Sequence, residues 1–192
     1  MPKKKMQVLS LPGESPATYE DVLRAPPECV AQLIHGQLHT HPRPASRHAL
    51  AGSSLGMVFG RGGMGAGNGA GWWILYEPEI HLASHVLVPD WAGWRRERMP
   101  VFPDVAYIET VPNWVCEILS PSNARLDRAV KMPLYAKFGV EYLWLLDPKL
   151  QTLEVFVLHE GKWLLWETFQ ENDEVATPPF EAMHFTLGVL WP

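Results

Sequence analysis

The chain has 192 residues, 47% of them apolar and 19% charged, with a formal net charge of −5. That length and balance fit one well-buried domain and exclude a disordered chain, and the net acidity argues against tight nonspecific binding to nucleic acid. No apolar run approaches the ~18 residues of a membrane helix, and two cysteines, Cys29 and Cys116, are too few for a disulfide framework, so the expected setting is the reducing cytoplasm.

Met1-Pro2-Lys3-Lys4-Lys5 begins like a signal peptide, but Pro12 and Gly13 follow before an apolar core can form. Residues 1–15 therefore read as a flexible, solvated tail ahead of a single domain. Thr18-Tyr19-Glu20-Asp21 has the form of a helix N-cap with an acid three positions later, and Pro26-Pro27 ends that short helix. Val30, Gln32 and Ile34 alternate up to His35-Gly36, and Leu38 follows, which predicts a hairpin. A second helix is expected from Ser46 to Phe59, with Leu50, Leu55 and Val58 facing the core.

Between Gly60 and Gly71 there are seven glycines in twelve residues, a segment that cannot hold one conformation alone. Strands are predicted at Trp72–Tyr76, Glu79–Leu82 and Val86–Asp90, then an irregular stretch from Trp91 to Pro112. The strand around Glu117 leads into a helix from Asn123 to Phe138, interrupted by Pro133. Strands at Glu141–Leu146, Thr152–Leu158 and Lys162–Phe169 complete the order, and the end of the chain carries weak signals. This order predicts an α/β (α+β) domain with a central mixed β-sheet flanked by helices, and a parallel crossover from the Glu117 strand to Glu141–Leu146.

Two carboxylates stand out: Asp90, closing Val86-Leu87-Val88-Pro89-Asp90, and Glu117, inside Trp114-Val115-Cys116-Glu117-Ile118-Leu119. Strand alternation sets Val115, Glu117 and Leu119 on one face and Trp114, Cys116 and Ile118 on the other. A buried acid needs a cationic partner or a bound cation. Asp90 and Glu117 on neighbouring strands would offer hard oxygen ligands to Mg²⁺; a glutamate paired with an arginine and an aspartate serving a turn are the simpler alternatives. Arg125, Arg128 and Lys131 share nearly one side of the following helix, either as a solvated face or as a row with Lys131 aimed at the carboxylates and arginines at phosphates.

Weaker signals fall away on inspection. Asp104 repeats the Pro-Asp pair but follows no convincing strand. His35, His39 and His41 share one parity, as zinc ligands could, but no nearby cysteine or acid completes a set. The glycine run lacks G-K-[ST] and so is no phosphate loop.

Taken together, the Pro89-Asp90 pair, the string E-I-L-S-P-S from Glu117, and R-L-D-R-x-x-K-x-x-x-Y from Arg125 to Tyr135 resemble the Uma-two family. The resemblance runs from Thr18 to about Phe156 and is strongest from Val86 to Pro148. Members are bacterial proteins of the PD-(D/E)XK restriction-endonuclease-like superfamily. The resemblance implies a nuclease core in which Asp90, Glu117 and the backbone carbonyl of Ile118 hold Mg²⁺ or Mn²⁺. The superfamily lysine normally sits two residues after the acid, a position held here by Leu119, and the family places it instead at Lys131.

Family members commonly read E-L-I-D-G-E-L in the first hairpin, where this chain has Gln32, His35 and Gln37 in place of the three acids. Glu79 is the substitute third carboxylate. DNA is the implied partner, with Arg95, Arg96, Arg125 and Arg128 as backbone contacts, and the nine tryptophans leave aromatic surface for a homodimer contact. The rival reading is a catalytically degraded nuclease-fold module that binds a protein or DNA partner. The altered hairpin favours it, as does an acidic C-terminal third with nine acids and two bases from Gly139 onward.

Overall fold

The computed structural model describes residues 7–8, 15–42, 45–62 and 71–192. Most of the expected tail over 1–15 and most of the glycine run therefore lie outside the described residues. Within the tail, however, Gln7–Val8 form a short strand, β1.

Helix α1 spans Tyr19–Leu23, and Asp21 reaches back to the Thr18 amide at 2.8 Å, as the capping pattern predicts. Strands β2 (Cys29–Ile34) and β3 (Gln37–Pro42) form the expected hairpin. Its two turn residues, His35 and Gly36, have φ of 52° and 71°, the left-handed pair that matches the twist of a tight hairpin. Helix α2 covers Ser46–Arg61 and buries Ala51, Leu55, Val58 and Phe59. Leu50, expected in the core, is 40% exposed.

The middle of the chain departs most from expectation. Strands β4 (Trp72–Tyr76), β5 (Ile80–Leu82) and β6 (His85–Leu87) are followed by β7, Trp91–Arg95, in a stretch expected to be irregular. Asp90 thus sits between two strands. Gly93 hid β7 in the sequence, yet the fold requires it: a Cβ there would lie 2.8 Å from Ile74 Cδ1 and 3.1 Å from Trp114 Cε3.

Strand β8 (Trp114–Ile118) leads into α3 (Ala124–Leu126), a π-helical turn at Asp127–Lys131, and α4 (Met132–Phe138). Pro133 has no N–H to bond the carbonyl four residues back, and its ring would crowd that carbonyl, so the widened turn accommodates it without ending the helical run. Strands β9 (Tyr142–Asp147), β10 (Thr152–His159) and β11 (Lys162–Gln170) follow, and then short β12 (Glu174–Val175), β13 (Phe185–Thr186) and a 3₁₀ turn at Leu187–Leu190.

The central sheet is six-stranded in the order β11-β10-β9-β8-β7-β4, and its β8–β9 pair is parallel, as the crossover predicts. A five-stranded sheet, β1-β3-β2-β6-β5, stands beside it. One apolar cluster joins α2 to the Trp114, Cys116 and Ile118 face of the central sheet. The other joins Leu126, Leu134 and Tyr135 to Val115 and Leu119, with Ile34, Ile80 and Leu87 of the smaller sheet. The face that bears Glu117 is therefore the one that the helical run and the smaller sheet cover. Replacing Gly93 with Ala should overpack Trp114 and cost about 1–3 kcal/mol, read as a lower urea midpoint with an unchanged slope.

Candidate functional site

Extending the antiparallel β7–β8 register, in which Trp91 faces Cys116, by one step sets Asp90 opposite Glu117. Both acids line one narrow pocket together with Asp127, Lys131, Asn123, Gln32 and His41. Its free volume is about 10 Å³, the scale of a single water or ion.

Lys131 and Glu117 are each 2% exposed, and Nζ lies 2.7 Å from Glu117 Oε1 and 3.5 Å from Asp127 Oδ1. The same Oε1 accepts the Tyr135 hydroxyl at 2.6 Å. The partner of the buried glutamate is thus a lysine, which excludes the arginine alternative. Asp90 is fixed from two sides: Oδ2 accepts the Ile118 amide at 2.7 Å, and Oδ1 accepts His48 Nε2 at 3.1 Å. Gln32 Oε1 holds the Val88 amide at 2.9 Å, and Lys131 Nζ lies 3.4 Å from the Val88 carbonyl.

One ammonium cannot neutralise three carboxylates. Burial pushes the Glu117 carboxyl up to about 8, against the pull of Lys131 and helped by Asp127 and Asp90. Burial likewise raises Asp127 to about 6, with Lys131 again opposing. Burial alone would discharge Lys131, but Glu117 and Asp127 outweigh it and raise its pKa, so the ammonium stays charged. His48 follows the same pattern: burial pulls it down, and the Asp90 hydrogen bond and charge lift it above its usual value.

Among the described residues, no three His, Cys, Asp or Glu side chains stand together as a ready metal cage. The pocket fits a small hard cation in a different way. Two facing carboxylates can anchor Mg²⁺, which commonly keeps several waters and takes only one or two acids. Asn123 Oδ1, buried in the same wall, has no hydrogen-bond partner among the described residues.

Several expected site residues lie elsewhere. The Glu79 side chain turns away from the pocket and accepts Tyr19 OH and His81 Nε2, each at 2.7 Å, because alternation puts it opposite the core-facing Ile80. Arg95 is at the end of β7 far from Asp90, bonded to Glu141 at 3.1 Å, and Arg96 lies 4.0 Å over the Trp73 ring. Neither joins the site. Ile118 supports the site through its amide, which donates to Asp90. Arg125 is exposed next to the pocket wall, and Arg128 is exposed and paired with Glu154. His35 contacts His85, at 4.8 Å between rings, so the three hairpin histidines do not converge.

Four lining or supporting groups escaped the sequence reading: His41, His48, Asn123 and Asp127. Asp127 had a usable signal, since it precedes Lys131 by one helical turn. His48 had none, lying in a small-residue helix distant in sequence.

Residues 16–189 match the family model Uma2, described as "Putative restriction endonuclease". The chain belongs to the Uma2 family. Among solved structures, that of "a putative nuclease belonging to DUF820" from Anabaena variabilis covers 91% of this chain and 97% of its own, with a TM-score of 0.73 and 24% identity. It shares the Uma2 chain's fold. No curated protein matches the chain. None of the described helices is long and apolar enough to cross a membrane.

The site of this Uma2 protein has a measurable pH signature. Glu117 and Asp127 have folded values of about 8 and about 6, above their ordinary 4.5 and 3.8. Raised acids favour folding while protonated, and that contribution is lost as pH rises through the folded values. Urea titration of the metal-free protein should therefore show stability falling between about pH 4.5 and pH 8 and levelling off above, and Glu117→Gln should flatten the upper part of the decline.

Proposed function

We propose that this Uma2 protein is a divalent-metal-dependent DNA endonuclease whose working residues are Asp90, Glu117 and Lys131. The observation that supports this reading most is convergence: two acids and a lysine, drawn from β6–β7, β8 and the π-turn, line one ion-sized pocket. The family match makes a nuclease the coarse expectation, and the donor set makes Mg²⁺ or Mn²⁺ the finer one.

Asp90 and Glu117 would hold the cation, with Tyr135 orienting Glu117 and His48 and the Ile118 amide orienting Asp90. When bound, the cation supplies Lewis-acid polarisation of the scissile phosphodiester. Lys131 is held charged by two carboxylates and is therefore unsuited to take a proton. Its ammonium instead positions the attacking water and stabilises negative charge that develops on the phosphate. Arg125 is placed to meet the DNA backbone, and Arg128 could do so after leaving Glu154.

A noncatalytic module is the second reading, favoured by the internal pairing of Arg95 and Arg128 and by the neutral Gln32 in the pocket. Nicking of supercoiled plasmid separates the two. The enzyme reading predicts cleavage with Mn²⁺ or Mg²⁺ and none with chelator. Asp90→Asn, Glu117→Gln and Lys131→Met should each lose about 10²–10³-fold in rate. Because Lys131 competes with the cation for Glu117, Lys131→Met should bind Mn²⁺ more tightly while cutting poorly. Metal binding with no cleavage of plasmid or single-stranded DNA would favour the module.

A further inference from the structure

Asn123 occupies the N-cap position of α3, where an asparagine ordinarily turns its side-chain oxygen onto the first helical amides. This one makes no capping hydrogen bond. Its main chain is engaged in the turn, the amide donating to the Ser120 carbonyl at 3.0 Å and the carbonyl accepting the Asp127 amide at 3.0 Å. The side chain is thereby held against the pocket that Asp90, Glu117 and Asp127 line, with Oδ1 buried and lacking a hydrogen-bond partner among the described residues.

A buried acceptor left unpaired is unfavourable, because it has lost its hydrogen bond to water without gaining another. The one ammonium in the pocket is already shared between Glu117 and Asp127. A hard cation would resolve the mismatch. An amide oxygen is a good ligand for Mg²⁺ or Mn²⁺, and it adds to the coordination without adding negative charge to a crowded site.

We propose that Asn123 Oδ1 is a neutral oxygen ligand of the divalent cation, completing the set begun by Asp90 and Glu117. The inference rests on the metal-dependent reading above and adds a residue to it. It also accounts for the position of Asn123 at the start of the helical run. The residue that opens the run and Lys131, held in the π-turn, both line the pocket.

The test is Mn²⁺ binding by the full chain at pH 8, followed by calorimetry and by loss of the free-ion electron paramagnetic resonance signal. Asn123→Ala should weaken Mn²⁺ about tenfold while leaving the melting temperature of the metal-free protein unchanged or slightly higher. Asn123→Asp should bind Mn²⁺ at least as tightly as the wild type, since it keeps an oxygen at the same place. If the wild type binds Mn²⁺ and Asn123→Ala binds it equally well, Asn123 is no ligand, while the metal-dependent reading stands. If Asn123→Ala does not fold, weaker binding by Asn123→Asp overturns the assignment by itself. A wild type that binds no Mn²⁺ overturns both.

Discussion

A glutamate buried at the end of an apolar strand imposes the conditions that the rest of this domain meets. Glu117 sits in β8 with apolar neighbours on both faces, and removing its charge from water costs several kcal/mol unless a cation compensates. Lys131 supplies that cation from a position that is itself 2% exposed. Bringing it there requires β8 to pair in parallel with β9, so that the crossing helical run lies over the Glu117 face. The π-turn just before Pro133 then aims Asp127, Lys131 and, one turn on, Tyr135 at the same carboxylate region. The break that a proline would otherwise impose on the helix is thus part of how the pocket is built.

Charge balance in the pocket follows from that arrangement. Three carboxylates face the Lys131 ammonium and the imidazoles of His48 and His41, so protons, Lys131 and any divalent cation compete for the same oxygens. Gln32 matters in this respect, because the family resemblance places an acid where this chain has an amide. A fourth carboxylate would deepen the repulsion. The amide instead serves the Val88 backbone and lets His41 and Asn123 share the wall without further charge.

Much of this was readable from the residues, and the failures have physical causes. The hairpin at His35-Gly36, helix α2, the Glu117 strand and the β8–β9 crossover follow from periodicity and turn chemistry, which act locally. Strand β7 did not, because Gly93 is chosen for the space between Ile74 and Trp114, a tertiary demand that lowers the local strand signal. That Asp90, Glu117 and Lys131 line one pocket was expected from the two strand positions together with the family resemblance. Asn123, His48 and His41 were not, since they come to the pocket through folds in the chain that no spacing encodes. Glu79 and Arg95 were chosen for their charge, and each has a nearer partner in the structure: Tyr19 and His81 for the first, Glu141 for the second.

The central claim is that a divalent cation is held by Asp90 and Glu117 in a pocket whose burial raises the Glu117 pKa. Calorimetry of Mn²⁺ binding at pH 7, repeated in buffers with different ionisation heats, counts the protons released. Because burial and the neighbouring acids raise the Glu117 pKa, the account predicts that Mn²⁺ binding releases protons and that Glu117→Gln abolishes most of that release. Binding without proton release, or release that persists in the mutant, would contradict it.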